Sequence, residues 1–170
     1  MSTQRTEELA RKNYWQELMR LRDEQREQRK SAIQVVRGDE LPLENNAQGL
    51  MRWYMHPAIK DTVLSALMFF RQEIPPGGRS GRLKFQGGQV MYVTHGRGYT
   101  LIDGVKHAWE AGDILNLPLK REGLIIQHFN THESETAIFV ACEPNWFECV
   151  TVDRGSGFEQ IEDAPEYKKK

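Results

Sequence analysis

Apolar and polar positions follow two different periods along this chain. Residues 4 to about 31, QRTEELARKNYWQELMRLRDEQREQRKS, contain no Gly or Pro and are dominated by good helix formers, which predicts one helix. Tyr14, Leu18 and Leu21 fall at i, i+4 and i+7, and Trp15 with Met19 widens that stripe. The turns that follow, RDEQREQRK, have no apolar face. A helix with a short sticky patch and a long polar end packs at one end only. It either covers its own domain or reaches a partner subunit, and periodicity does not distinguish the two.

From residue 64 to about 152 the period is two. LSALMFFRQEI, QVMYVTH, YTLI, VKHAWE, ILNLP, GLIIQHFN, ETAIFVACE and WFECVTV read as short strands separated by glycine turns. Asp103-Gly104 is the strongest hairpin signal. Many short strands at close spacing predict a sandwich or small barrel. The plan is therefore a helical arm (1–31), a connector (32–63), a β-barrel (64–152) and a polar tail (153–170) that is either mobile or draped on the surface. The connector holds one short strand, GLMRWYMHP, stopped by Pro57.

Composition narrows the function classes. The chain has 170 residues and a net charge of −1, so no global basic field points to nucleic acid. No apolar run is long enough for a membrane helix, and MSTQRTEELARK has no secretory h-region. Cys142 and Cys149 form no CxxC pair and read as buried free thiols. These features predict a soluble cytoplasmic protein. PPGGRSGR could hold an anion in a backbone nest, but it lacks the lysine-serine ending of a phosphate loop. No serine or cysteine sits in a nucleophile motif, and no catalytic residue is assigned.

The glycine and proline spacing between Phe69 and Glu143 resembles the cupin family. Gln89-Val90-Met91-Tyr92-Val93-Thr94-His95-Gly96 matches the end of the first cupin motif, G-x5-H-x-H-x3-4-E-x6-G, with Gln89 at the glutamate position. Gly112 to Pro118, GDILNLP, matches the start of the second, and its histidine falls on His128 after an insertion. The resemblance implies a mainly β fold: a single cupin double-stranded β-helix barrel, or jelly roll, with an N-terminal α-helical arm.

The departures from the family pattern carry the functional reading. Leu83-Lys84-Phe85 occupies the H-x-H slot, and residues two apart on a strand share a face. Leu83 and Phe85 thus point where two ligands would point, and neither has a lone pair for a metal. Gln89 offers a neutral amide, so only His128 remains as an ordinary ligand, too few for a stable site. No metal is expected in this chain. The apolar pair also predicts a barrel filled by side chains. Among the other histidines, His128 and His132 lie roughly 13 Å apart on an extended strand, although a turn at Asn130-Thr131 would bring them closer. His95 sits beside a turn, His56 precedes Pro57, and VKHAWE does not fix the face of His107.

FFRQEIPPGGRSG, GGQ and EGLIIQHFN resemble the cupins of ring-cleaving dioxygenases, gentisate dioxygenases among them. In length and character the chain is most similar to the small subunits of two-component, Fe(II)-dependent hydroquinone 1,2-dioxygenases. That resemblance implies a metal-free structural subunit. Its partner is a larger cupin subunit that carries the Fe(II) and binds the hydroquinone, in the breakdown of 4-nitrophenol-type compounds. Two of each subunit is one stoichiometry it allows. Tyr14, Trp15, Leu18 and Met19 are the interface candidates. Two alternatives stand beside this reading. One is an autonomous Fe(II) dioxygenase of an aromatic diol, with a rearranged site from His128, His132, Gln89 and His95. The other is a metal-free cupin that holds a small ligand in a pocket lined by Leu83, Phe85 and Tyr92.

Overall fold

The structure is a computed structural model that describes residues 3–62, 66–145 and 159–167. Its N-terminal unit carries two helices, and a larger unit beginning at Val36 carries the strands. The single helix expected over residues 4–31 is divided into α1 (Gln4–Ala10) and α2 (Tyr14–Lys30). Asn13 causes the break: its backbone is extended, and its side-chain oxygen accepts from Gln16 N at 3.1 Å. An asparagine in that role satisfies an orphan amide of a new helix and competes with continuing the old one. Ion pairs of Glu17 and Glu24 with Arg20, and of Glu27 with Lys30, line the exposed surface of α2. No helix among the described residues is long and apolar enough to cross a membrane.

Among the described residues the larger unit has eleven strands in two sheets. They are β1 (Glu44–Asn46), β2 (Gly49–Met55), β3 (Leu67–Ile74), β4 (Arg82–Phe85), β5 (Gln89–His95), β6 (Arg97–Ile102), β7 (Val105–Glu110), β8 (Ile114–Leu117), β9 (Leu124–Asn130), β10 (Ala137–Pro144) and β11 (Glu159–Glu162). One sheet runs β1-β2-β3-β10-β5-β8 and the other β11-β4-β9-β6-β7. All named pairings are antiparallel, and non-consecutive strands lie side by side, as in a jelly roll.

Alternation decides what faces inward. On β3 every second residue is buried, which sends Met68, Phe70, Gln72 and Ile74 inside. On β10 the same period buries Ala137, Phe139, Ala141 and Glu143. One core cluster gathers Met51, Phe70, Met91, Val93 and Phe139 with Trp109 of the other sheet, and a second joins Phe85, Leu117, Leu124 and Ile126. At the β6–β7 hairpin, Asp103 and Gly104 have φ of 50° and 84°, the left-handed pair that the Asp-Gly signal predicts.

Two segments do more than the sequence suggests. The connector contributes a hairpin, because β1 turns through Ala47-Gln48 into β2 and β2 pairs along β3. The polar tail returns as β11, where Gln160 pairs with Leu83 of β4 and Ala164 is buried. Its polar side chains find partners here: Gln160 accepts from Gln48 Nε2 at 2.6 Å, and Arg79 pairs with Glu162. Cys142 is a partly buried free thiol, and Cys149 with its predicted strand WFECVTV lies outside the described residues.

Candidate functional site

The inward side chains of the described residues do not fill the barrel, contrary to the expectation drawn from Leu83 and Phe85. They leave a cavity of about 330 Å³. Met51, Trp53, Met68, Phe70, Leu83 and Ile126 form its apolar wall, and His56, Gln72, Gln89, His128 and Glu143 supply polar groups. Its lining also takes in the β1–β2 turn and Gln160 of β11, so the two unexpected elements help to shape it. Gly81 lets them approach, because a Cβ there would lie 2.2 Å from the Ala47 carbonyl oxygen.

The polar groups are held in defined states. Gln89 Nε2 donates to Glu143 Oε2 at 2.8 Å. Glu143 is only 3% exposed and no Lys or Arg among the described residues lines the cavity, so burial lifts its carboxyl from 4.5 to about 7, against the smaller opposing effect of the Gln89 bond. Burial likewise pushes the His128 imidazole down from 6.5 to about 4, so it is neutral at pH 7. Trp109 Nε1 donates to Thr100 Oγ1 at 3.0 Å, and Thr100 Oγ1 lies 2.7 Å from His128 Nδ1. Trp109 is donor-only, and the threonine proton has His128 Nδ1 as its acceptor. The arrangement that satisfies every proton therefore leaves His128 with its proton on Nε2. Ser80 fixes the strand beneath, its Oγ accepting from His128 N at 2.9 Å. Phe139 packs on the imidazole at 4.9 Å between centroids.

The predicted site residues separate. Leu83 lines the cavity. Phe85 is buried in the second core cluster rather than in the cavity wall. Tyr92 faces the opposite way: it is 44% exposed on the outer face of β5, because alternation buries Gln89, Met91 and Val93. There it neighbours Val90, and Ile114 lies opposite it across the β5–β8 ladder, both exposed. His132 does not join His128. It lies in the loop after β9, where its Nδ1 accepts from Glu135 N at 3.0 Å, and its Nε2 and that of His95 each lie 3.6 Å from Glu135 Oε2. His107 is exposed on β7. The PPGGRSG loop spends amides on carbonyls, Gly77 N on His132 O and Gly78 N on Pro75 O, both at 2.9 Å, which opposes an anion nest there. Tyr14, Trp15 and Leu18 are exposed on α2. Glu143 and Gln72 escaped the sequence reading. The alternation of ETAIFVACE puts Glu143 on the same face as Ala137, Phe139 and Ala141, and a lone charge on an apolar face is the signal that marks it.

No protein-family model matches the chain, and no curated protein matches it. Solved structures do. A double-stranded β-helix domain protein of Klebsiella pneumoniae subsp. pneumoniae superposes with a TM-score of 0.54 at 17% identity, over 77% of this chain and 99% of its own. A cupin-like protein of Thermotoga maritima gives 0.51 at 15% identity, over 71% and 87%. The fold is that of a cupin. A polyketide cyclase of Streptomyces resistomycificus shares it, with a TM-score of 0.55 at 14% identity over 73% and 89% of the two chains. At these identities the likeness concerns fold alone.

The donor set in this cupin cavity does not fit a metal centre. Two imidazoles (His56 and His128), one carboxylate and five amides line it, with Leu83 on the wall, but they are not gathered round one point. Stable first-row sites draw on three or four N, S or O ligands. Among the described residues no three His, Cys, Asp or Glu side chains are placed to hold an ion. His128 would have to give up its Nε2 proton and reverse its bond to Thr100 in order to ligate through Nε2. What the arrangement offers is an apolar wall facing a set of neutral amides, two imidazoles and one buried carboxyl.

Proposed function

We propose that this chain is the metal-free, non-catalytic small subunit of a heteromeric ring-cleaving dioxygenase that acts on hydroquinone. In this reading a larger cupin subunit holds Fe(II), binds the substrate and performs the oxygen chemistry. The observation that carries the reading is Leu83: it stands on the cavity wall at the place where the cupin pattern sets a histidine. A barrel kept intact while its ligand positions turn apolar retains value as a packing partner.

Two exposed apolar surfaces support docking. One is the α2 stripe of Tyr14, Trp15 and Leu18, to which Met19 adds a half-exposed side chain. Aromatic and Met anchors of this kind are enriched at interface centres. The other is the outer sheet face at Val90, Tyr92 and Ile114.

The test is anaerobic Fe(II) reconstitution of the chain alone and together with a co-expressed large subunit. The expected result is negligible iron and no hydroquinone turnover for the chain alone, with both present in the complex. About one iron per isolated chain, with turnover, would overturn the proposal and favour an autonomous dioxygenase.

A further inference from the structure

We propose that the barrel cavity is a ligand site in its own right, for a small uncharged aromatic molecule carrying a hydroxyl group, of the size of a monocyclic phenol. This does not rest on the subunit reading, since it requires neither a partner nor iron.

The cavity, at about 330 Å³, falls in the size range of small-molecule sites. Trp53 and Phe70, with ring centroids 5.2 Å apart and planes tilted by 57°, form an aromatic corner of the wall. Met51 and Met68 complete it with side chains that adapt to a flat ring. These groups favour an aromatic body over a sugar, whose many hydroxyls would be desolvated against the apolar wall.

The polar groups select the substituent. One Glu143 oxygen is engaged by Gln89, and the other has no hydrogen-bond partner among the described residues. His128 Nδ1 is taken by Thr100, and its Nε2 likewise has none. The cavity thus presents an acceptor and a donor that no described residue pairs. A hydroxyl both donates and accepts. A carboxylate or phosphate could not donate, and it would face Glu143 with no Lys or Arg among the described lining residues to offset it. An ammonium could not accept from His128.

The experiment is titration of the full-length chain, with ¹³C-labelled methionine methyls, by phenol, toluene, benzoate and benzylamine. Phenol is expected to shift the Met51 and Met68 methyls saturably, with a Kd of about 1 mM or tighter. It should bind at least about tenfold more tightly than each of the other three. Leu83→Trp, which fills the cavity, should weaken phenol at least about tenfold. If that variant does not fold, the wild-type methyl shifts decide the question. Absence of saturable shifts, shifts confined to residues outside the cavity, or tighter binding of toluene, benzoate or benzylamine would each overturn the proposal. Iron content plays no part in this readout, so its failure is separate from failure of the subunit reading.

Discussion

Gln89 donates its side-chain amide to the Glu143 carboxylate across 2.8 Å, joining β5 to β10 inside the barrel. A neutral amide here does what a cation would do more strongly. It satisfies one carboxylate oxygen without compensating the charge, and burial leaves the Glu143 carboxyl at about 7. His128, also buried, is displaced in the opposite direction to about 4.

These displacements predict an unusual pH profile of stability. The folded state holds a proton on Glu143 that the unfolded chain loses above 4.5, so this group's contribution is full below 4.5 and lost as pH rises to about 7. The unfolded chain protonates His128 below 6.5 whereas the folded state resists until about 4, so this contribution is present above 6.5 and lost as pH falls. The two slopes oppose each other between 4.5 and 6.5. Glu143→Gln should uncover a rise in stability with pH across that window, and His128→Gln a fall. Each change should be on the order of 1–3 kcal/mol in urea unfolding midpoints at pH 4.5, 5.5 and 6.5. Parallel profiles for both variants and the wild type would contradict the assignment.

Thr100 is the hinge of the polar group that fixes His128. Thr100→Val keeps the shape but strands the Trp109 indole proton and releases His128 Nδ1. A buried donor left unmade costs about 1–3 kcal/mol. Nitrogen shifts of the His128 ring should move from a single Nε2–H form towards a mixture of tautomers. An unchanged tautomer would show that Thr100 does not set it.

Gly98 is required for space, not for backbone freedom. An added Cβ would lie 2.0 Å from the Phe129 carbonyl oxygen and 2.5 Å from the Trp109 ring. Both are fixed by sheet pairing, since Gly98 faces Trp109 on β7 and Asn130 on β9. Gly98→Ala should therefore cost about 3 kcal/mol or more. Gly104 is the contrast: its surroundings are open but its φ is +84°, so Gly104→Ala should cost only about 1–2 kcal/mol. Thermal unfolding of the two variants side by side checks the ranking.

How much of this was legible depends on which rule each residue obeys. Period-two alternation and glycine turns carried the barrel, and Asp103-Gly104 carried its hairpin. The same parity contained the answer for Tyr92: three residues beyond inward-facing Gln89 on one strand, it must face out. The cavity was not legible. Its wall is assembled from β2, β3, β4 and β9, with the β1–β2 turn and β11 adding to the lining, and no local pattern reports how well such distant pieces fill a space. Nor does a polar stretch such as EQIE announce a strand when its partner is the distant edge at Arg82–Lys84.

The α2 stripe tests the docking half of the proposed function. Trp15 is 69% exposed and Leu18 is 54% exposed. Replacing both with Ser removes apolar surface from a helix whose residues make no buried core, so the barrel's unfolding temperature should stay within a few degrees. If α2 reaches a large catalytic subunit, the double variant should lose at least about tenfold in affinity for it, because anchors of this type dominate binding. Ring-cleaving activity of the reconstituted pair should fall at limiting concentrations of this chain and recover at excess. Unchanged affinity would place the docking surface elsewhere, with the Val90, Tyr92 and Ile114 face as the next to test.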